Sequence, residues 1–224
     1  MMSKTILLLI YGNRYSRDDI ARLSMNKEYN YLIYTDNPSE YSDYETVHID
    51  PDLGTFNKIL MLQENRGPCL YLDLDVIIQN DNLDYYFEAG YSKPAICKTY
   101  WKPEGFEAEF GGGDFNSSVM SWNGNNAMPI YKHFVRDSDY WIVKYKEQDD
   151  NYLFYEHGSR FSVYAPNRIY SYLYGKNYSL GQMGSEIYSN CDICLLNGQD
   201  RVRYDLRTEY KEKLLTKSET SYIV

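Results

Sequence analysis

Residues 70–78 read Leu-Tyr-Leu-Asp-Leu-Asp-Val-Ile-Ile, an apolar run that predicts a buried β-strand and that is interrupted by two carboxylates, Asp73 and Asp75. Because the side chains of a strand alternate between its faces, we expect both carboxylates on the same face. Two acids this close repel each other and are costly to desolvate, unless they lie at a cleft and share a divalent cation. The stretch therefore predicts a metal-assisted site at the carboxyl end of a strand. A capped strand end without a metal is the alternative.

Length and charge narrow the classes of protein that fit the chain. Its 224 residues suit one α/β domain better than two. The formal net charge of -9 argues against nucleic acid as a main partner, since phosphate backbones call for clustered Lys and Arg. A nucleotide is still compatible with this charge, because a metal ion can bridge acidic side chains and phosphate. No apolar run approaches the roughly 20 residues of a membrane span, so we expect a cytoplasmic chain without a transmembrane segment.

The order of the predicted elements indicates the fold class. We expect strands at residues 5–11, 31–35, 46–49, 69–78, 95–97 and 115–122, and helices at 16–25, 55–64 and 130–135. Alternating strands and helices in the first half predict a largely parallel, doubly wound sheet, whereas the second half is mixed α+β. We expect a single domain over residues 1–224, with a nucleotide-binding half at 1–80 and a donor-sugar and acceptor half at 81–224.

Polar residues follow three of the predicted strands. Tyr11-Gly12-Asn13 follows the first strand, Asp36 follows the second, and the acid pair lies in the strand at 69–78. In open parallel sheets, ligands bind beyond the carboxyl ends of the strands. The three polar clusters are therefore expected to converge on one ligand site.

The cysteines give a weaker signal. Four cysteines are too few for a disulfide framework in a chain of this length. Cys191 and Cys194 form a C-x-x-C half-motif, but no second pair and no His follow it, so packing in a strand is favoured over a zinc site.

Six motifs carry a resemblance to a known family: Leu9-Ile-Tyr-Gly-Asn-Arg-Tyr15, Tyr34-Thr-Asp36, Phe56-Asn-Lys-Ile-Leu60, Asp73-Leu-Asp75, Phe115-Asn-Ser-Ser-Val-Met120 and Glu147-Gln-Asp-Asp-Asn-Tyr-Leu153. In their order and spacing the chain resembles a nucleotide-sugar glycosyltransferase of the GT-A type. It is most similar to the families that include glycogenin (family 8) and the bacterial galactosyl- and glucosyltransferases of lipopolysaccharide. The resemblance spans nearly the whole chain. It implies an α/β, Rossmann-like GT-A fold with a mostly parallel central sheet flanked by helices, and a mixed α+β acceptor half.

The same resemblance assigns roles to individual residues. It implies a nucleotide and donor site formed by Tyr11, Asn13, Tyr15, Asp36, Lys58, Asp73, Asn116 and Ser117. It implies that Gln148 and Asp149 meet the donor sugar and act in catalysis, and that Asp73 and Asp75 bind Mn²⁺ or Mg²⁺. Judged on the residues alone, Lys58 is equally well a surface lysine. The charge run at residues 147–150 is, judged in the same way, usually a solvated helix end, and only the family pattern favours a site there.

One position departs from the family pattern. The third protein ligand to the metal in these families is a His, and the aligned residue here is Asn197. An amide oxygen can ligate Mg²⁺ or Mn²⁺, although imidazole suits Mn²⁺ better. Either Asn197 is a weaker ligand, or the metal relies on Asp73, Asp75 and the diphosphate of the donor.

The implied reaction is transfer of a sugar from a nucleoside-diphosphate sugar, above all a UDP-sugar, to a hydroxyl of an unidentified carbohydrate, protein or small-molecule acceptor. A retaining course, which the resemblance favours, needs no strong base, whereas an inverting course would need a carboxylate such as Asp149 or Asp114. Two alternatives stay open. One is a catalytically weak or silent nucleotide-sugar-binding module, which Asn197 suggests. The other is a nucleotidyltransferase, although the Gly-rich basic loop expected after its first strand is missing.

Overall fold

The computed structural model describes residues 3–80, 82–101, 113–146, 148–166, 168–171 and 191–196. Within them the strands are β1 (Thr5–Ile10), β2 (Asn30–Thr35), β3 (Glu45–His48), β4 (Pro68–Leu72), β5 (Val76–Ile78), β6 (Ala95–Lys98), β7 (Phe115–Asn123), β8 (Ser162–Val163), β9 (Ile169–Ser171) and β10 (Ile193–Leu195). The α-helices are α1 (Arg17–Leu23), α2 (Asn57–Met61), α3 (Asp84–Ala89), α4 (Met128–Phe134), α5 (Ser138–Tyr145) and α6 (Asp149–His157). Short 3-10 helices lie at Pro38–Tyr41, Pro51–Phe56 and Gly158–Arg160.

The described strands form a central sheet in the order β3-β2-β1-β4-β7-β6-β8 and a second sheet in the order β5-β10-β9. In the central sheet β1 pairs in parallel with β2 on one side and β4 on the other. β7 runs antiparallel to both of its neighbours, β4 and β6. The predicted α/β fold with a mostly parallel central sheet is confirmed.

Two hydrophobic cores cover the two faces of the central sheet. All six residues of β1 are buried. Ile6, Leu8 and Ile10 belong to the core that also contains buried residues of α1 and α3. Leu7 and Leu9 belong to the other core, with residues of α2, α4 and α6. A strand that is buried on both faces reads as a continuous apolar run, which is why β1 could be predicted from the sequence.

The predicted helix at 55–64 is shorter in the structure. Its first turn is part of the 3-10 helix Pro51–Phe56, and the α-helix itself covers only Asn57–Met61. Gly54, with φ of 53°, lies in the left-handed region and interrupts the helical backbone just before it. The α-helix therefore starts after this interruption, and Lys58 lies in its first turn.

The single strand predicted at 69–78 is wrong. β4 ends at Leu72, a turn closed by a hydrogen bond from Val76 N to Asp73 O (3.3 Å) follows, and β5 joins the second sheet. The two carboxylates therefore lie in a turn between two sheets, and the expectation that alternation places them on one strand face fails with it. Both flanks of the turn are apolar and rich in strand formers, so periodicity alone does not separate two short strands from one long one.

Other expectations concern the cysteines and the membrane. All four cysteines are buried and outside any disulfide, and Cys194 lies in β10, as packing in a strand predicts. In the described ranges, no helix combines the length and the apolar character that crossing a membrane requires.

A pair of histidines, buried His157 and half-buried His133, links α4 to α6. His157 Nε2 lies 3.1 Å from His133 Nδ1 and 3.1 Å from the hydroxyl of Tyr152, and His133 Nδ1 is also 3.1 Å from that hydroxyl. Burial, and after it the charges of His133 and Arg160, lower the pKa of His157 to about 4. His157 is therefore neutral in the folded protein at pH 7, whereas an unfolded histidine titrates near pH 6.5.

This difference predicts a pH-dependent stability. Because the unfolded state binds the extra proton first, the stabilisation from neutral His157 is complete above pH 6.5 and is lost as the pH falls toward 4. We expect its share of the unfolding free energy to drop by about 2 kcal/mol between pH 7.5 and pH 5. Urea unfolding of wild type and His157→Asn at both pH values measures it. His48→Asn, at an exposed position, is the control; an unchanged pH dependence in His157→Asn would contradict the assignment.

Candidate active site

The carboxyl ends of β1, β2 and β4 meet at one edge of the central sheet. Tyr11 follows β1, Asp36 follows β2 and Asp73 follows β4. The first two loops are tied together because Gly12 N donates a hydrogen bond to Asp36 Oδ2 (3.1 Å), and Gly12 has a φ of 58°. The predicted convergence of polar residues at this edge is thus present in the structure.

The loop after β1 carries the other two residues predicted to hold the nucleotide. Asn13 is exposed, whereas Tyr15 is half-buried and packs against the first core. The guanidinium of Arg14 lies over the Tyr15 ring, 5.6 Å from its centroid. This loop presents both aromatic and polar groups beside Asp36.

Lys58 occupies the centre of the site. It is 7% exposed, and its Nζ lies 3.0 Å from Asp73 Oδ1, 3.1 Å from Asp73 Oδ2 and 3.1 Å from Ser117 Oγ. The hydroxyl of Tyr71 donates to Asp73 Oδ1, and the Lys58 ammonium lies 5.5 Å from the centroid of the Tyr71 ring. The surface-lysine alternative is therefore wrong: α2 directs this side chain into the protein.

The surrounding acids keep Lys58 charged. Burial by itself lowers the pKa of a lysine, but the carboxylates of Asp73, Asp149 and Asp150 outweigh it and hold the Lys58 pKa above its ordinary value. Burial, with a further contribution from Asp73, raises the pKa of Tyr71 well above its ordinary value. Lys58 is thus an ammonium and Tyr71 a neutral hydrogen-bond donor at neutral pH.

β7 and the start of α6 complete the cluster. Ser118 O accepts a hydrogen bond from Asp73 N (2.9 Å), and Asn116 Oδ1 accepts one from Ser118 N (3.1 Å). Ser117 N donates to Asp150 Oδ1 (2.7 Å). The strand that was predicted to line the donor pocket therefore joins the acid turn to the first turn of α6.

Asp149 is the predicted catalytic residue that the structure brings to the cluster. Its side chain is 4% exposed, and within the described part of the chain its Oδ2 atom has no hydrogen-bond partner. Burial raises the pKa of Tyr11, on which the charges of Lys58, Asp73 and Asp149 also act. Tyr11 and Asp149 therefore belong to the same charged cluster as Lys58 and Asp73. Within it, Asp149 Oδ2 is a buried acceptor that can take a further hydrogen bond.

The structure places Asp150 in the cluster and Gln148 outside it, which is the reverse of the sequence prediction. Gln148 is exposed at the start of α6, where its amide oxygen accepts a hydrogen bond from Asn151, and the described contacts do not bring it to Lys58. Asp150 was not predicted as a site residue. Burial, and after it Asp149, raise the pKa of Asp150 to about 6, against the opposing effects of Lys58 and Ser117. Its position beside Asp149 in the first turn of a helix was the available signal.

The backbone of the acid turn is fixed at three consecutive carbonyls. Arg22 of α1 donates to Leu74 O and to Val76 O, each over 2.7 Å, and Leu196 N donates to Asp75 O over 3.2 Å. Asp75 itself is 4% exposed. The next residue after Leu196 is Asn197, which, like Glu147, lies outside the described residues.

Asp73 and Asp75 are the predicted metal ligands that fall within the described residues. In the described ranges, no group of three or more His, Cys, Asp or Glu side chains is arranged to hold a metal. Asp73 and Asp75, on a turn whose backbone is held in place, are hard oxygen ligands of the kind that Mg²⁺ and Mn²⁺ take. They fit a cation that obtains its remaining ligands from a bound diphosphate or from the part of the chain that is not described.

Comparison with known proteins rests on structure. No protein-family model matches the chain, and no curated protein matches its sequence. The galactosyltransferase LgtC, solved with donor and acceptor sugar analogs, is similar with a TM-score of 0.57, 13% identity and 87% coverage of either chain. The glycosyltransferase GlyE of Streptococcus pneumoniae TIGR4 gives a TM-score of 0.63 and 17% identity, over 93% of this chain and 60% of GlyE. Mouse xyloside xylosyltransferase 1 gives a TM-score of 0.51 and 16% identity, over 88% and 99% of the two chains.

The chain has the GT-A glycosyltransferase fold. The fold implied by the six sequence motifs is thereby confirmed. Identities of 13% and 17% establish the fold alone, so the chemistry has to be argued from the residues at the edge of the GT-A sheet.

Arg22 provides a direct test of how the acid turn is held. We expect Arg22→Gln to lower the free energy of unfolding by about 2 kcal/mol, because two carbonyls of buried residues lose their donor. Arg22→Lys is expected to recover only part of this, since an ammonium cannot span two acceptors as a guanidinium does. Urea unfolding measures both variants.

Arg17 of the same helix is the matched control. It is bonded at the surface to Asp43, with 48% of its side chain exposed. We expect Arg17→Gln to cost less than about 1 kcal/mol. Equal losses in Arg17→Gln and Arg22→Gln would show that Arg22 does not hold the turn.

Proposed function

We propose that the protein is a metal-dependent glycosyltransferase that moves a sugar from a nucleoside-diphosphate sugar, a UDP-sugar, to an acceptor hydroxyl. The observation that carries the proposal is the cluster of Lys58, Asp73, Asp149 and Asp150 beside the loops of Tyr11 and Asp36. It combines, at one edge of a GT-A sheet, groups suited to a base, a diphosphate and a sugar. The structural neighbour LgtC carries donor and acceptor sugar analogs in its own structure.

The nucleoside would bind at the loops after β1 and β2. Tyr11 and Tyr15 offer aromatic faces for a base, and Asn13 and Asp36 offer polar groups for its edges and for the ribose. The hydrogen bond between Gly12 and Asp36 already holds the two loops together before a ligand arrives. In this arrangement residues 1–80 bind the nucleotide, and residues 81–224 bind the donor sugar and the acceptor.

The diphosphate would bind at the acid turn. Asp73 and Asp75 are the residues that would hold Mn²⁺ or Mg²⁺, with Asn197 as a third candidate ligand. When bound, such a cation neutralises the charge that develops on the departing nucleoside diphosphate. Arg22 and Leu196 keep the turn in place through backbone hydrogen bonds, so the carboxylates need no rearrangement of the main chain to act.

The donor sugar would lie against β7 and α6. The buried Oδ2 atom of Asp149 is an acceptor that a sugar hydroxyl can satisfy on binding. Asn116 and Ser117 lie on β7, where Ser117 N is bonded to Asp150, the neighbour of Asp149 in α6. We assign both residues, and Gln148 at the exposed start of α6, to contacts with the sugar. A carboxylate in this position also stabilises the positive charge of an oxocarbenium-like transition state.

For the stereochemical course we propose retention. An inverting enzyme would use a free carboxylate base, for which Asp149 and Asp114 were the candidates. Asp114 Oδ2 is paired with Lys98 Nζ over 3.3 Å, so it is not a free carboxylate. Asp149 is one of the carboxylates whose charge raises the pKa of the Lys58 ammonium, and this pairing suits a stabilising role better than that of a free base.

A thermal-shift screen of nucleoside diphosphates and nucleotide sugars, with and without Mn²⁺, tests the proposal, followed by an assay of donor hydrolysis. We expect a UDP-sugar to stabilise the protein and to be turned over slowly when Mn²⁺ is present. Stabilisation without turnover of any donor would instead support a silent nucleotide-sugar-binding module. No stabilisation by any of these ligands would contradict the proposal.

Asp75→Asn tests the metal assignment. We expect the part of the UDP-induced shift that depends on Mn²⁺ to disappear, a loss on the order of 5 °C at a ligand concentration about 100 times Kd. The matched control is Asp52→Asn at an exposed position. If Asp75→Asn keeps the full Mn²⁺-dependent shift, Asp75 is not a ligand.

Asp149→Asn tests the assignment of the donor sugar. We expect kcat/KM for donor hydrolysis to fall about 10- to 100-fold, because a charged hydrogen bond to the sugar is weakened. The affinity for UDP, which lacks the sugar, should change less than about threefold. Asp139→Asn, exposed on α5, is the control. A large loss of UDP affinity would place Asp149 at the nucleotide instead.

A further inference from the structure

The carboxylate of Asp73 is paired with a positively charged side chain, the ammonium of Lys58. The ammonium of Lys58 lies almost symmetrically across its two oxygens, 3.0 Å from Oδ1 and 3.1 Å from Oδ2, and the hydroxyl of Tyr71 donates to Oδ1. Lys58 thus takes the place, in front of the carboxylate, that a bidentate divalent cation would take.

A divalent cation and this ammonium repel each other at such short range. If both were to contact Asp73 in the free protein, two positive groups would lie within a few ångströms of each other in a poorly hydrated site. A diphosphate changes this balance, because its oxygens carry negative charge for both cations at once. The metal and the ammonium therefore compete for Asp73 when no diphosphate is bound. When a diphosphate is bound, both can be accommodated.

We propose that Lys58 is an internal counter-ion that competes with the divalent cation for Asp73, so that the metal binds tightly only together with a nucleoside diphosphate. The inference rests on the proposed function, from which it takes the diphosphate and the metal. In the free protein Lys58 neutralises Asp73. When the diphosphate binds, the ammonium turns toward a phosphate oxygen and releases Asp73 to the metal.

The surroundings of Lys58 suit such a movement. Ser117 Oγ, 3.1 Å from Nζ, is a second partner that does not depend on Asp73. The charges of Asp149 and Asp150 also favour the ammonium form of Lys58. The side chain can therefore give up one contact with Asp73 and remain within the same acidic site.

Competition between Lys58 and the metal changes the Mn²⁺ affinity in a direction that a lysine binding only phosphate would not. Removing a positive side chain that only binds phosphate weakens UDP binding and leaves the affinity for the metal alone unchanged. Removing a competing counter-ion makes the metal alone bind more tightly, and by linkage it reduces the factor by which UDP raises the metal affinity.

The test is the affinity of the full chain for Mn²⁺, read from the electron paramagnetic resonance signal of free Mn²⁺, with and without UDP. We expect Lys58→Gln to bind Mn²⁺ alone about tenfold more tightly than wild type, within the usual range of coupling between sites. Lys58→Met, which keeps the length of the side chain without its charge, should behave alike. Lys58→Arg keeps the charge and should resemble wild type, and Lys132→Gln at an exposed position is the surface control.

Circular dichroism first establishes that each variant is folded. Equal or weaker binding of Mn²⁺ alone by folded Lys58→Gln or Lys58→Met would overturn the competition. Failure of both variants to fold would also overturn it, because Lys58 would then be a requirement of the fold. Wild type that binds no Mn²⁺ even with UDP would instead contradict the proposed metal-dependent function, so the two failures are distinguishable.

Discussion

The ion pair between Lys58 and Asp73 is the interaction on which the site depends. Its partners come from α2 and from the end of β4, and Ser117 of β7 bonds to the same ammonium. A buried charge pair is tolerated only when further hydrogen bonds satisfy it, and removal of one partner leaves the other uncompensated. Here Tyr71 and Ser117 supply those hydrogen bonds. The carboxylates of Asp73, Asp149 and Asp150 all act on this ammonium, which offsets part of the repulsion among the acids at this edge.

The acid turn connects the two sheets of the described structure. β4 belongs to the central sheet and β5 to the second one, and the turn between them carries Asp73 and Asp75. Arg22 ties the turn to α1, the helix that follows the Tyr11 loop, and Leu196 ties it to the end of β10. The helix that follows the nucleotide loop is therefore bonded to the acid turn through the side chain of Arg22. A site with such support needs little reorganisation when charge develops in it.

Much of the fold and of the candidate site was predictable from the sequence, because the signals for them are local. The strands at the sheet centre are continuous apolar runs, and the polar residues after them must meet at the carboxyl edge of a parallel sheet. The turn at Asp73 was missed because apolar flanks hide a change of sheet. The partners of Lys58 were also hidden, since Ser117 is 59 positions away and no local pattern joins them. Asp150 was passed over because an acid in the first turn of a helix is usually a solvated cap, and only the contact with Ser117 N shows otherwise.

A crystal structure of the chain with UDP and Mn²⁺ is the most direct measurement, because anomalous scattering locates manganese independently of the protein. We expect the uracil beside Tyr11 and Asp36, the manganese peak within ligand distance of Asp75, and the Lys58 ammonium nearer to a phosphate oxygen than to Asp73. UDP bound away from this edge, or manganese without Asp75 among its ligands, would contradict the assignment of the site.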